Sequence, residues 1–159
     1  MSDKISVEVS SIRLEEETET PIMLLQKPNT NKVLPIWIGT IEAVSIAYAQ
    51  EGFVHPRPQT HDLLLNILDS LNAKILEVSI TDIHEKTYFA EIKLSTHEGE
   101  LTLSSRPSDA IALALRSSAE IFVENSVFND NYIEIYDEDK VDIEEFSQFI
   151  DNVSPEDFS

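Results

Sequence analysis

The sequence predicts an α+β fold: a mixed, largely antiparallel sheet with helices packed mainly on one side. Three observations predict it. Short apolar runs separated by turn signals come in two sets, each followed by a helical segment. Hydrophobic residues make up 42% of 159, enough for one core and too many for a disordered chain. Residues 39–47 (GTIEAVSIA) also resemble residues 106–114 (RPSDAIALA). Each follows a strand and opens a helix with an acid in its first turn, which predicts duplication of a strand–strand–helix unit.

Along the chain, residues 4–14 place Ile5, Val7 and Val9 on one face by alternation and read as a strand. Residues 15–19 (EEETE) are a solvated acidic turn. Residues 21–26 (PIMLLQ) are a short apolar strand, and Lys27-Pro28-Asn29 marks a turn. Residues 33–38 (VLPIWI) are a third strand. Its Pro35 argues for an edge or a bulge, and its Trp37 is expected in the core. Gly39-Thr40 opens a helix over 41–50, and Thr60 is expected to cap a second one running through DLLLNILDSL. Strands follow at 74–83, 87–96 and 100–104, with hairpin turns at 84–86 and 97–99. Arg106-Pro107-Ser108-Asp109 opens a third helix ending near Ser118, and residues 120–124 and 131–136 read as late strands. Composition shifts at Asp137. The expected organisation is therefore a domain over 1–136 and an acidic segment over 137–159, where Ile143, Phe146, Ile150 and Val153 keep helical spacing.

The formal net charge is −19, and nine acids against one lysine after residue 136 leave −11 for the body. A field of that sign repels polyanions, so nucleic-acid binding would work against it. There are no cysteines, which excludes disulfides, thiolate metal sites and cysteine nucleophiles. With no apolar run near the ~20 residues of a membrane span and no signal-like start, a cytoplasmic protein without membrane contact is expected. Three glycines cannot build a glycine-rich phosphate loop. Residues 41–49 and 110–115 are apolar nearly all round. A domain this small is not expected to bury two such helices, so self-association into a homo-oligomer is predicted.

Two Arg-Pro turns carry the candidate chemistry: Arg57-Pro58-Gln59-Thr60-His61-Asp62 and Arg106-Pro107-Ser108-Asp109. Proline, a hydroxyl and an aspartate all suit the start of a helix for structural reasons alone. The same features also suit a phosphate: helix N-termini offer free N–H groups, and arginine offers a fork matched to phosphate oxygens. Arg57, Thr60, Arg106 and Ser108 are the candidate substrate contacts. Glu42, Asp62 and Asp109 are candidate hard-oxygen ligands for Mg²⁺ or Mn²⁺. His61 is a candidate general acid or base, acting with Asp62, Asp109 and the two arginines. His61 and Asp62 are adjacent on a helix and diverge by roughly 100°, so any orienting partner for the imidazole comes from elsewhere. His55, His84 and His97 show no metal spacing, and Ser104-Ser105 lacks a nucleophile-elbow pattern.

The stretches LPIWIGTIEAVSIA (34–47), RPQTHDLL (57–64) and RPSDAIALALR (106–116), in this order and spacing, resemble the bifunctional nuclease domain family over roughly residues 7–124. That resemblance implies a compact duplicated α+β fold that self-associates, and nuclease activity on DNA and RNA. It carries over Glu42, Arg57, Thr60, His61, Asp62, Arg106, Ser108 and Asp109 as motif positions. Relatives commonly place an aspartate two residues before the second Arg-Pro arginine. Here that position is Ser104, which puts metal-dependent cleavage in question. Two functions follow as expectations: a nuclease hydrolysing phosphodiesters, or a non-catalytic oligomeric module that binds a protein or an anion.

Overall fold

The computed structural model describes residues 3–136. The helical expectation for the segment after Asp137 lies outside them. Eight strands form one sheet: β1 (Lys4–Leu14), β2 (Pro21–Gln26), β3 (Lys32–Trp37), β4 (Lys74–His84), β5 (Thr87–Thr96), β6 (Gly99–Ser105), β7 (Glu120–Glu124) and β8 (Ile133–Glu134). Four helices accompany them: α1 (Thr40–Gln50), α2 (Thr60–Ser70), α3 (Pro107–Ser117) and α4 (Asn125–Asn131). The strand order is β6-β5-β4-β7-β1-β2-β3-β8, antiparallel throughout except for the parallel β4–β7 pair. The expected α+β class holds. Its two halves are three-stranded meanders, β1-β2-β3 and β4-β5-β6, each running into a helix, α1 or α3. β7 stitches the halves together by pairing with both β4 and β1.

Register decides which side chains enter the core. Val7 lies beside Ile121, and Ile121 beside Val78, which lies beside Ile92. Paired residues point to the same face, so these form one apolar row under the helices. Bulges keep long strands in phase with it. β1 buries Val7 and then Ile12, an odd and an even position, because the register shifts between Val9 and Ser11. β4 shifts twice, so Ile75, Val78, Ile80 and Ile83 all pack on the main core. The opposite face of this half is open and polar. Lys4, Glu77, Ser79, Glu91, Lys93 and Thr102 line a shallow groove there.

Several expectations change. Trp37 is 54% exposed; it ends β3, and its indole N–H donates to Glu15 Oε2 at 3.0 Å. Pro35 sits where β3 is an edge, because β8 pairs with only Lys32 and Val33. The expected strand at 131–136 shortens to two residues, and residues 125–131 form α4, whose buried Phe128 fills the core beside β7. Thr60 is the first helical residue of α2, and the cap falls on Gln59, whose N–H donates to Asp62 Oδ2 at 3.0 Å. α1 and α3 are buried by their own chain: they pack on each other and on the sheet, with Ala43, Val44, Ile46 and residues 110–114 inside. Burying most of these two helices therefore needs no partner subunit, although Ile41 on α1 stays 60% exposed.

Candidate functional site

Three helices start at one end of the layer above the sheet, and each carries an acid at its third position: Glu42 on α1, Asp62 on α2, Asp109 on α3. A carboxylate there faces the unpaired N–H groups and the positive end of the helix dipole. Only Asp62 closes back on its own cap. The other two turn toward Arg106. Its Nε donates to Asp109 Oδ2 at 2.8 Å, Nη2 to Asp109 Oδ1 at 3.0 Å, and Nη1 to Glu42 Oε1 at 2.9 Å. Gly39 makes room for this bridge, since a Cβ there would occupy the place of the Glu42 carboxylate. The Arg106 guanidinium is held well above its ordinary value by the bonds to Asp109 and then Glu42.

Beneath this surface bridge lies a second, more buried set. His61 is 7% exposed. Its Nε2 meets Asp109 Oδ1 at 2.8 Å and its Nδ1 meets Ser45 Oγ at 2.7 Å. Arg116, in the last turn of α3, donates from Nε to Asp62 Oδ1 at 2.7 Å and from Nη1 to the Ala112 carbonyl at 3.0 Å. Its Nη2 reaches both the carbonyl and the Oγ of Ser45 at 3.1 Å. Arginine only donates, so Ser45 Oγ accepts from Arg116, which frees the serine proton to be donated to His61 Nδ1. On its other side the ring donates from Nε2 to the Asp109 carboxylate. Burial pushes the Asp109 carboxyl up, but bonds from Arg106 and His61 outweigh it and hold the group below the usual range. Asp62 is likewise raised by burial and lowered further by Arg116 and the Gln59 N–H, with a net fall.

The structure thus joins Glu42, His61, Arg106 and Asp109 in one contiguous relay and links Asp62 to it through Arg116 and Ser45. The partner that orients His61 comes from a different helix, as the 100° divergence from Asp62 requires. Arg57 is exposed, in the loop entering α2, with no side-chain hydrogen bond or ion pair among the described residues. Thr60 is exposed at the same helix start. Ser108 is buried, at 5% exposed. Glu42, Asp62 and Asp109 are not gathered as a cation site: Arg106 lies between Glu42 and Asp109, and Asp62 is taken by Arg116. Among the described residues no cluster of three histidine or acidic side chains is placed to hold a metal.

Ser45 and Arg116 do not stand out in the sequence. The signal that points to them is helical spacing: Ser45 is three residues past Glu42, and Arg116 seven past Asp109, each a lone polar residue within or ending an apolar stretch.

A two-meander α+β sheet with an ion-paired site at three helix starts defines the class. Residues 23–136 match the model of the bifunctional nuclease domain, and this chain belongs to that family. The match begins later and ends later than the sequence motifs suggested. The chain is similar to an uncharacterised protein of Mycobacterium tuberculosis, 38% identical over 161 residues that cover 96% of each chain. It is also similar to bifunctional nuclease 2 of Oryza sativa subsp. japonica, 28% identical over 73% of this chain and 33% of the rice protein. Bifunctional nuclease 2 of Arabidopsis thaliana is 25% identical over 76% of this chain and 37% of the plant protein. No helix among the described residues is long and apolar enough to cross a membrane.

Proposed function

We propose that this protein is a nuclease acting on phosphodiesters of DNA or RNA, with its site at the Glu42–Arg106–Asp109–His61 relay. The convergence of motif residues from three separate segments into one bonded cluster carries this reading, alongside membership of a nuclease family. Three of the five N–H donors of Arg106 are taken by acids, which leaves two for a phosphate on a side chain 62% exposed. Arg57 supplies the second fork. Asp109, aligned by His61 from below, is the group placed to accept a proton from an attacking water. Its lowered pKa keeps it ionised but makes it a weak base, so positioning and charge stabilisation contribute more than proton transfer. Divalent-cation assistance would require Arg106 to leave its place between Glu42 and Asp109. The cysteine-free composition favours a cytoplasmic setting, and self-association belongs to the proposal.

The test is cleavage of single-stranded RNA, single-stranded DNA and duplex DNA, with Mg²⁺, Mn²⁺ and chelator arms. Arg57→Ala/Arg106→Ala is purified in parallel. The expected result is a loss of at least about 100-fold in the variant, the low end of the range for removing one preorganised donor. Equal cleavage by both proteins rejects the site. One observation favours a second reading, a non-catalytic anion- or protein-binding module: the charge of Arg106 is already more than offset by its two acids on a chain of charge −19. Binding without cleavage in every arm would select it.

A further inference from the structure

α2 has two apolar faces, and the described residues cover one. At about 100° per residue, His61, Leu65 and Leu68 point one way, and α2 packs on α3. Leu63, Leu64, Ile67 and Leu71 define a second direction. They fall within about 100° of arc, the width of a full helix-packing stripe, with Ile67 near its centre. All four stay between 41% and 66% exposed. The polar residues Asp62, Asn66, Asp69 and Ser70 lie outside that arc.

We infer that this second face of α2 is where two copies of the chain join. The inference rests on the self-association named above and locates its surface. Three features select a second copy. Leu63, Ile67 and Leu71 form an i±4 ridge, and identical i±4 ridges interdigitate, so the stripe is complementary to itself across a two-fold axis. Each half-exposed side chain offers roughly 100 Å² of apolar surface, so two copies bring together about 800 Å², most of the apolar part of a standard interface. The stripe also carries no charge on a chain of −19, so it is a place where two copies can approach without opposing like charges directly. With no cation in it, the stripe offers nothing to a polyanion.

The experiment is light scattering on the full chain from about 1 to about 100 μM, at low and high salt. A dimer is expected, tightening as salt screens the repulsion between the two acidic copies. Ile67→Glu is expected to weaken association by at least about 100-fold with an unchanged far-UV spectrum, because the side chain is already exposed. Leu71→Gln is expected to weaken it less. Leu101→Glu, at a comparably exposed leucine on β6, is expected to leave it intact. A monomer at every concentration overturns the inference, and so does disruption by Leu101→Glu but not by Ile67→Glu. Mass, not cleavage, is the readout, so this result stands apart from the nuclease assay.

Discussion

Arg116→Met isolates what one long-range side chain does for the site. The substitution keeps length and apolar stem but removes donors to Asp62 Oδ1, the Ser45 carbonyl, Ser45 Oγ and the Ala112 carbonyl. Arg116 is 10% exposed, so its bonds are sheltered. Breaking a buried pair costs about 3–5 kcal/mol. Asp62 keeps about a third of its side chain in water, which recovers part of that, so the expected loss is about 2–3 kcal/mol. For a body of this size that is a fall in Tm of roughly 6–15 °C, measurable by calorimetry. Arg116→Lys restores the charge without the fork and is expected to recover less than half. A second readout is independent of stability. Nitrogen-15 NMR of the wild type is expected to show the His61 ring proton on Nε2, facing Asp109, with Nδ1 accepting from the Ser45 hydroxyl that Arg116 orients. In Arg116→Met the serine hydroxyl is free to turn, and that tautomer is no longer enforced. A loss under about 0.5 kcal/mol, or a wild-type ring protonated on Nδ1, would refute the reasoning.

Acid should weaken the fold through Asp62 and Asp109. Both carboxyls are held below their ordinary value of 3.8, so their contribution is present above that value and is lost as pH falls through the lower, folded-state value. The Tm difference between wild type and Asp62→Asn or Asp109→Asn should shrink as pH drops below 3.8, and a difference that grows there would contradict the assignment. Gly39→Ala should move stability by less than about 1 kcal/mol, because φ −74° and ψ 159° suit alanine. The same methyl displaces the Glu42 carboxylate, so a crystal structure of the variant should show the Glu42–Arg106 bond lost while Arg106 stays on Asp109.

Much of the fold is legible in the sequence because period and turn chemistry are local properties. The six strands of the two meanders, the three long helices and the hairpin positions follow from alternation, helical spacing and breaks between apolar runs; Gly99 at φ 111° suits the β5–β6 turn, whereas Glu85 and Lys86 close β4 onto β5 at φ 50° and 68° without being types that favour it. The Arg-Pro motifs are legible for the same reason, since each is a short helix opening. α4 is not legible, because NSVFNDN has little helical preference of its own, and packing of Val127 and Phe128 decides it. Trp37 reads as core on its strand, yet its place at the strand end leaves it in solvent.

Which groups touch was decided by tertiary structure alone. Arg106 and Glu42 are separated by 64 positions, Arg116 and Ser45 by 71, and no local rule links them. Their contact depends on how α1, α2 and α3 cross above the sheet. Among the described residues the same crossing covers α1 and α3 and leaves one face of α2 exposed, although all three helices are rich in leucine, isoleucine, valine or alanine. Composition by itself determined that the chain needs a core and carries a large negative charge. The relative placement of the helices, set by packing between segments far apart in the chain, determined which charges meet and which apolar face remains open.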